Sequence, residues 1–174
     1  MDPEALKRHI RAVPDFPQPG IVFRDVTPLL QDPEALCASV EALVAPFRDV
    51  GVELVAGIES RGFIFGVPVA LALGVGFSPI RKAGKLPHHT HRIEYALEYG
   101  TDALELHVDG VEPGQRVLIV DDLLATGGTA AAGVELLRKA SAELVGGSFL
   151  IELQALGGRD RLADLPLTHA VLTY

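Results

Sequence analysis

Cysteine is almost missing from this sequence: Cys37 is the only one among 174 residues. A single cysteine excludes an internal disulfide framework of the kind that holds small secreted domains together. Cys37 falls in a predicted helix without an evident partner, and we interpret it as a small core residue rather than a nucleophile. No apolar run reaches the length of a membrane span, and the first residues lack the apolar stretch of a secretory signal. These absences predict a cytoplasmic protein.

Positive charge is also scarce. Lysine and arginine number 15 against 23 aspartates and glutamates, which gives a net charge of −8. An extended nucleic-acid interface needs many cations to neutralise phosphates, so nucleic acid is not expected as a partner. A small phosphate pocket remains possible, because it needs only a few local donors. The length, and the lack of repeats or linker-like stretches, predict a single domain over residues 1–174 with a core that needs no disulfide.

Apolar runs and turn residues alternate along the chain in the manner of a parallel α/β protein. The apolar runs predict a mostly parallel central sheet flanked by helices, with ligands at the carboxyl ends of the strands. Asp32 and Pro33 have the residue types of a helix N-cap and first helical position. The predicted helices are residues 3–13, 33–48, 63–73 and 129–139, and the predicted strands are residues 53–58, 75–80, 117–120, 148–151 and 170–173. Residues 81–103 are expected to form a long mobile loop, and loops of that length are usually functional.

The strongest predicted strand, residues 117–120, leads into two carboxylates and a loop of small residues. The carboxylates are Asp121 and Asp122, and the loop contains Ala125, Thr126, Gly127, Gly128 and Thr129. Glycines let the backbone approach a ligand closely, and consecutive N–H groups at a helix start bind anions. Ionised carboxylates only accept hydrogen bonds, so beside a phosphate they suit a pair of sugar hydroxyls. The pattern predicts a ribose 5-phosphate site; the alternative is that the acids cap a turn that the glycines merely permit.

This segment resembles the motif with which phosphoribosyltransferases bind 5-phosphoribosyl 1-pyrophosphate (PRPP). The resemblance implies that Asp121 and Asp122 contact the ribose 2′- and 3′-hydroxyls, while residues 125–129 hold the 5′-phosphate. It also implies the type I phosphoribosyltransferase fold. Enzymes of this fold that act on 6-oxopurines usually carry an aspartate at the position of Ala125, so a 6-oxopurine substrate is disfavoured. Orotate enzymes also lack that aspartate.

Three further segments are similar to those of adenine phosphoribosyltransferases and occur in the family order. Residues 19–25 (PGIVFRD) resemble the adenine-binding segment, which we place at about residues 14–30. Residues 57–63 (GIESRGF) resemble the pyrophosphate loop, and residues 81–87 with 97–100 (RKAGKLP and LEYG) resemble the flexible catalytic loop. The implied pyrophosphate-binding residues are Ser60, Arg61, Arg81, Lys82 and Lys85, and the implied adenine-binding residues are Val22, Phe23, Arg24 and Leu156.

The resemblance implies that the protein transfers the phosphoribosyl group of PRPP to N9 of adenine, which gives AMP and pyrophosphate. Breaking the C1′–O bond builds positive charge on the ribose, and Asp121 and Asp122 are placed to stabilise it. Glu98 is the candidate base for the adenine N7 proton, and Tyr99 is expected to close the site against water. Mg²⁺ is expected to bind mainly through PRPP rather than through protein ligands. A homodimer is implied, in which Arg81 or Lys82 serves the neighbouring subunit.

Alternatives exist for several of these residues. Lys82 and its basic neighbours can form an ordinary surface turn, Glu98 can be an exposed loop carboxylate, and Phe23 can be a core aromatic. His88, His89 and His91 lack the spacing and acidic partners of a usual zinc site, and we interpret them as a solvated loop. At the level of function, the alternatives are a xanthine, hypoxanthine or orotate phosphoribosyltransferase and a PRPP-sensing regulator without catalysis.

Overall fold

The computed structural model describes residues 1–96 and 101–174, and these form five α-helices and nine strands. The helices are α1 (Pro3–Lys7), α2 (Thr27–Gln31), α3 (Pro33–Val44), α4 (Arg61–Leu73) and α5 (Gly128–Lys139). The strands are β1 (Arg11–Pro14), β2 (Val22–Asp25), β3 (Leu54–Ile58), β4 (Gly76–Lys82), β5 (Thr90–Ala96), β6 (Thr101–His107), β7 (Arg116–Leu124), β8 (Glu143–Glu152) and β9 (Thr168–Thr173). Short 3-10 turns follow α3 at Ala45–Phe47 and follow β8 at Gln154–Leu156 and Gly158–Leu162.

Seven strands form the central sheet in the order β5-β6-β4-β3-β7-β8-β9. The pairs among β4, β3, β7, β8 and β9 are parallel, whereas β6 pairs antiparallel with both β4 and β5. The predicted mostly parallel α/β sheet is therefore confirmed. Strands β1 and β2 form a separate antiparallel hairpin. Since β3, β4 and β7 are parallel neighbours, the loops that follow them meet at one edge of the sheet.

Side chains alternate between two cores on the opposite faces of the sheet. On β7, Leu118 and Val120 pack into one core with helices α1 to α4, whereas Val117 and Ile119 pack into the other with α5. Central parallel strands are covered on both faces, which is why these strands are apolar along nearly their whole length. The sheet is thus fixed by burial on both sides and provides a rigid base for the loops at its edge.

The start of α3 follows the sequence signals. The Asp32 carboxylate accepts hydrogen bonds from the backbone N–H groups of Glu34 and Ala35 at 3.0 and 2.9 Å, and Pro33 is the first helical residue. This is the N-cap that the sequence predicts. Cys37 lies on the same helix but is exposed, so the interpretation of its side chain as a core residue is wrong.

Two predicted regions differ from the structure. The first helix ends at Lys7, and strand β1 occupies residues for which a helix was predicted, because Arg11–Pro14 pair with β2. The predicted loop over residues 81–103 contains the end of β4, all of β5 and the start of β6, and β5 and β6 pair with each other from Thr90↔His107 to Ala96↔Thr101. Strands β5 and β6 are neighbours along the chain, and β6 joins them to the sheet by pairing with β4 at Arg81↔Glu105 and Lys82↔Leu104, a contact that the local sequence does not indicate. None of the helices in the described ranges is both long and apolar enough to cross a membrane.

Candidate active site

A cavity of about 260 Å³ opens at the carboxyl ends of β3, β4 and β7. Three segments line it: residues 59–61 after β3, Lys82 at the end of β4, and residues 121–130 from the end of β7 into α5. The sequence predicts that the first and third of these segments lie together, and the parallel pairing of β3 with β7 brings this about. Thus the predicted site residues that line one cavity are Ser60, Arg61, Lys82, Asp121, Asp122 and residues 125–129.

The loop between β7 and α5 has the backbone geometry of an anion site. Gly127 adopts a left-handed conformation with φ of 78° and stands at the N-cap of α5, which begins at Gly128. Only glycine takes up this conformation without cost, so the loop sequence is dictated by its shape. The first N–H groups of a helix have no partner within the helix, and at α5 they face the same cavity as Thr126 and Thr129.

Asp121 and Asp122 are buried ionisable groups, only 9% and 5% exposed. They belong to strand β7 itself rather than to a turn after it, because β7 continues to Leu124 alongside β8. Burial raises the pKa of Asp121 well above its usual range, and the neighbouring negative charge of Asp122 raises it further. Burial also raises the pKa of Asp122, although the Arg61 guanidinium opposes this shift. Arg61 Nε lies 2.8 Å from the Asp122 carboxylate.

Helix α4 approaches β7 through a glycine. A Cβ placed on Gly62 would lie 2.7 Å from the Asp121 carboxylate and 3.1 Å from the Val120 carbonyl oxygen. No side chain fits at this contact, so the first turn of α4 is held directly against the end of β7. This packing places Arg61 beside the paired carboxylates. The peptide bond between Glu59 and Ser60, just before α4, is cis.

The Glu59 carboxylate contacts three basic residues at and just after the end of β4. Its carboxylate accepts hydrogen bonds from Arg81 Nε at 3.1 Å and from the backbone N–H of Lys82 at 2.9 Å, and Lys85 Nζ lies 3.7 Å away. Burial alone would raise the pKa of Glu59, but these hydrogen bonds and charges hold it below its usual value. Arg81 and Lys85 are therefore oriented by a carboxylate that lines the cavity.

Lys82 is held by two side chains from the β5–β6 hairpin. Its ammonium group donates hydrogen bonds to the Tyr95 hydroxyl at 2.6 Å and to the Asp102 carboxylate. Burial alone would lower the pKa of Lys82, but these two partners raise it above its usual value, so the side chain stays charged at neutral pH. The hydrogen bond from Lys82 likewise lowers the pKa of Asp102. A fixed cation thus stands at the edge of the cavity.

The predicted adenine-binding residues lie on two segments. Phe23 on β2 has its ring centre 5.2 Å from the Arg61 guanidinium and 5.3 Å from the ring of Phe16. The Arg24 guanidinium lies 4.0 Å from the ring centre of Tyr174. Val22 is 45% exposed, and Leu156, in the turn after β8, is 48% exposed. Phe23 is half-buried and lies beside Arg61, so it is not the core aromatic of the alternative interpretation.

Glu98 and Tyr99 lie outside the described residues, and their predicted roles stay predictions. The strands on either side of them, β5 and β6, carry Tyr95 and Asp102, which contact Lys82. Among the histidines, the rings of His88 and His89 are 5.0 Å apart, and His107 is 6.0 Å from His88. Over residues 1–96 and 101–174, no group of three or more histidine, cysteine or acidic side chains is arranged to hold a metal ion.

Sequence reasoning missed several residues that shape the site. Glu59 stands inside the segment that resembles a pyrophosphate loop, and its position next to Ser60 and Arg61 was the available signal. Tyr95 and Asp102 gave no local signal, because each reaches Lys82 only through strand pairing. Gly158 is a further case: it packs against the phosphate loop from a segment about 30 residues away in the chain.

Comparison with known proteins supports the same class of protein. The family model of the phosphoribosyl transferase domain matches residues 44–162, which is more than half of the chain and includes the cavity segments after β3 and β7. The match ends at Leu162, so it also includes the turns that follow β8. The fold and the cavity are thus those of a phosphoribosyl transferase domain.

Individual relatives indicate which phosphoribosyltransferases this chain is similar to. The chain is 60% identical over 169 residues to the adenine phosphoribosyltransferase of Rhodopirellula baltica, covering 97% of this chain and 82% of that protein. It superposes on the adenine phosphoribosyltransferase of Rhodothermus marinus with a TM-score of 0.93 and 54% identity, over 99% and 98% of the two chains. The Saccharomyces cerevisiae enzyme was crystallised with adenine and an imino-altritol bisphosphate. This chain superposes on it with a TM-score of 0.89 and 40% identity, over 99% of this chain and 96% of that one. The chain belongs to the adenine phosphoribosyltransferases of the phosphoribosyltransferase family.

Proposed function

We propose that this protein transfers the 5-phosphoribosyl group from PRPP to N9 of adenine and releases AMP and pyrophosphate, a reaction of purine salvage. The observation that carries the proposal is the single cavity in which buried Asp121 and Asp122 lie beside the phosphate loop and Arg61. Phosphate and ribose hydroxyls bound side by side describe the phosphoribosyl group. The names of the relatives supply adenine as the acceptor.

The phosphate loop is the proposed site of the PRPP 5′-phosphate. The residues in this role are Ala125, Thr126, Gly127, Gly128 and Thr129. Backbone N–H groups at the start of α5 and the two threonine hydroxyls supply the hydrogen-bond donors. Asp121 and Asp122 accept hydrogen bonds from the ribose 2′- and 3′-hydroxyls. Because Arg61 pairs with Asp122 in this structure, ribose binding has to exchange that ion pair for a hydroxyl contact.

The leaving pyrophosphate carries several negative charges and needs cations close by. Lys82 and Arg61 line the cavity, and Glu59 holds Arg81 and Lys85 at its edge. These side chains, with Ser60, are the proposed pyrophosphate site. As the C1′–O bond breaks, the electron pair stays on the pyrophosphate oxygen. The positive charge that develops on the ribose lies next to the two aspartates, which are already in position.

Adenine is proposed to bind between Phe23 and Leu156. Backbone groups of Val22 and Arg24 are proposed to form hydrogen bonds with the edge of the base. The aromatic ring of Phe23 suits the flat apolar face of a purine. N9 attacks C1′ with its free lone pair while N7 loses its proton. Glu98 is the proposed acceptor of that proton, and in the reverse reaction it returns the proton to N7. Tyr99 is proposed to help exclude water, which competes with adenine for the activated ribose.

Mg²⁺ is proposed to enter with PRPP. The donor set of the cavity fits this metal, because two carboxylates with raised pKa values stand where a cation would offset their repulsion. Mg²⁺ usually keeps several waters and binds through one or two carboxylates together with substrate phosphates. When bound, it supplies charge neutralisation for the pyrophosphate.

We also propose a homodimer in the cytoplasm. Three exposed apolar side chains, Ile64, Val67 and Leu71, lie at helical spacing on α4 and are 41%, 42% and 76% exposed. A stripe of this kind is suited to packing against a second copy. Because α4 begins at Arg61, an interface on this helix lies close to the cavity. Arg81 or Lys82 is proposed to serve the neighbouring subunit's site.

The direct test is product formation from PRPP and Mg²⁺ with adenine, hypoxanthine, guanine, xanthine and orotate in parallel, for the wild type and Glu98→Gln. We expect AMP from adenine alone. Glu98→Gln keeps the size of the side chain but removes the base, so kcat should fall roughly 100-fold. The matched control is Glu94→Gln, which changes an exposed carboxylate four residues away that pairs with Arg92.

Each possible result has a different consequence for the proposal. Undiminished AMP formation by Glu98→Gln removes Glu98 from the mechanism but keeps the enzyme. Product from another base reassigns the acceptor. PRPP binding without product from any base supports the regulator instead of the transferase.

A further inference from the structure

Gly158 and the phosphate loop are in direct backbone contact. A Cβ placed on Gly158 would lie 2.2 Å from the Ala125 carbonyl oxygen and 2.8 Å from the Gly127 nitrogen. In the reverse direction, a Cβ on Gly127 would lie 2.4 Å from the Gly158 carbonyl oxygen. Real Cβ atoms are not found at such distances from backbone atoms, and backbone cannot move aside as a flexible side chain can. The turn at Gly158 is therefore packed tightly against the backbone of the phosphate loop.

An ion pair fixes this turn to the sheet. Arg159, the next residue, donates a hydrogen bond from Nε to the Glu152 carboxylate at 2.9 Å, and a second one from Nη2 to the other oxygen. It also donates to the carbonyl oxygen of Thr168 at the start of β9. Glu152 ends β8 and is only 4% exposed. A bidentate arginine–carboxylate pair defines orientation as well as distance.

The same turn carries Leu156. The Leu156 N–H donates to the Leu153 carbonyl at 3.0 Å, and the Leu153 N–H donates to the Leu124 carbonyl of β7 at 2.9 Å. The segment from Leu153 to Arg159 thus has the proposed adenine-pocket side chain near its middle and the contact with the phosphate loop near its end. The segment is held at Leu153 by β7, at Gln154 by a hydrogen bond from its N–H to the Tyr174 carbonyl at 2.9 Å, and at Arg159 by the Glu152–Arg159 pair.

We infer that Gly158 and the Glu152–Arg159 ion pair are positioning elements that set the shape of the phosphate loop and place Leu156 relative to it. This inference rests on the proposed phosphate and adenine sites. Arg159 acts through Gly158 rather than by touching substrate. A displacement of the turn changes the loop backbone, whose N–H groups are the proposed phosphate donors, and geometry errors of this kind weaken binding and slow the reaction.

The test is binding of ribose 5-phosphate by titration calorimetry to Gly158→Ala, Arg159→Gln and Arg159→Lys, together with KM and kcat for PRPP and adenine. We expect Gly158→Ala and Arg159→Gln to bind ribose 5-phosphate about tenfold more weakly or worse. KM for both substrates should rise. Arg159→Lys, which keeps the charge but loses the bidentate pair, should recover part of the loss.

Two control variants match these changes. Arg138→Gln removes another arginine with the same 46% side-chain exposure, whose 2.7 Å ion pair with Asp164 lies outside this segment. Gly147→Ala crowds a glycine in β8, where a Cβ meets Phe149 at 3.0 Å. Both controls should bind ribose 5-phosphate within about twofold of the wild type, even if their unfolding midpoints fall.

Wild-type affinity in Arg159→Gln, or losses equal to those of Arg138→Gln, would overturn the inference. Arg159→Gln decides the matter alone if Gly158→Ala does not fold. Because ribose 5-phosphate binding needs no transfer reaction, a wild type that binds it but forms no AMP contradicts the proposed function and leaves this test intact.

Discussion

The paired aspartates at the end of β7 are in an environment that opposes their ionisation. Asp121 is buried beside Asp122, and both effects raise its pKa. Arg61 is the cation that partly offsets this, through its contact with Asp122. Burial beside a second carboxyl group therefore disfavours the charged form of Asp121, and burial likewise disfavours that of Asp122. We expect this environment to cost folding stability, as is common at active sites.

The stability cost depends on pH in a direction that follows from the raised pKa. An aspartate with a raised folded-state pKa stays protonated in the folded protein at pH values where the unfolded chain has already ionised. Its contribution to the free energy of unfolding is therefore complete below the usual pKa of 3.8. That contribution is lost as the pH rises through the folded-state pKa. Asp121→Asn removes the carboxyl group that titrates, and with it this loss of stability at higher pH. We expect its unfolding midpoint to exceed that of the wild type at pH 7 and the difference to shrink toward pH 4.

The same substitution should damage activity. Loss of a charged hydrogen-bond acceptor should reduce kcat/KM for PRPP roughly 10- to 100-fold. Thermal unfolding by circular dichroism between pH 4 and 8, with steady-state rates, checks both effects. Asp164→Asn, which removes an exposed carboxylate, is the control and should change neither. A destabilised Asp121→Asn, or a difference from wild type that does not change with pH, would show that the pKa of Asp121 is not raised.

At the scale of elements, glycines allow α4 to pack close to the sheet. Gly57 on β3 and Gly66 on α4 both face the ring of Phe77 on β4; a Cβ at either position would lie 2.6 to 2.7 Å from ring atoms. The ring thus fills the space that the two glycines leave. Together with Gly62 against β7, these contacts bring α4 close to the sheet and place Arg61 at the cavity.

Gly66→Ala tests how tightly this contact is packed. Alanine in a helix interior gains about 1 kcal/mol over glycine, but overpacking a well-filled core costs about 1–3 kcal/mol. We expect net destabilisation, because a Cβ on Gly66 would lie 2.7 Å from the Phe77 ring, which would have to shift. In a Phe77→Leu background the new methyl has room, and the same change should become neutral or stabilising. Denaturant unfolding of the four proteins of this double-mutant cycle measures the coupling.

Gly76→Ala is the control for that cycle, since its Cβ would meet only the end of the Leu54 side chain at 3.3 Å. It should show little coupling to Phe77. Equal effects of Gly66→Ala in both backgrounds would mean that the ring moves aside freely and that glycine at position 66 does not set the distance between α4 and the sheet.

At the scale of the whole molecule, the stripe of Ile64, Val67 and Leu71 on α4 is an exposed apolar surface. A homodimer across this stripe predicts a mass in sedimentation twice the 18.5 kDa of the chain. The double substitution Val67→Glu and Leu71→Glu places charges in the contact, so we expect monomers with unchanged secondary structure. If Arg81 or Lys82 serves the partner's site, these monomers should also lose activity.

The matched control places the same charges on Val108 and Leu167, which are 42% and 40% exposed and lie outside α4. That variant should remain dimeric. A dimer that survives the α4 substitutions would place the interface elsewhere, and a monomeric wild type would remove the homodimer from the proposal.

The sequence by itself determined those features that depend on neighbours along the chain. The Asp32 N-cap, the buried strands β3 and β7, and the phosphate loop with its two aspartates all follow from local residue order, because each reflects a backbone conformation or burial that a few adjacent residues define. The length of β7 was underestimated, since Asp121 and Asp122 continue the strand through pairing with β8.

Only the tertiary structure decided the features that depend on contacts between distant segments. Strands β5 and β6 form by pairing at the sheet edge, Tyr95 and Asp102 reach Lys82 through that pairing, and Gly158 meets Gly127 because the turn after β8 folds back onto β7. The pKa of Asp121 likewise depends on burial by α4 and the sheet. These contacts gain their energy from non-local packing, which local propensity does not encode, and they turn a recognisable phosphate motif into a site with defined charges and shape.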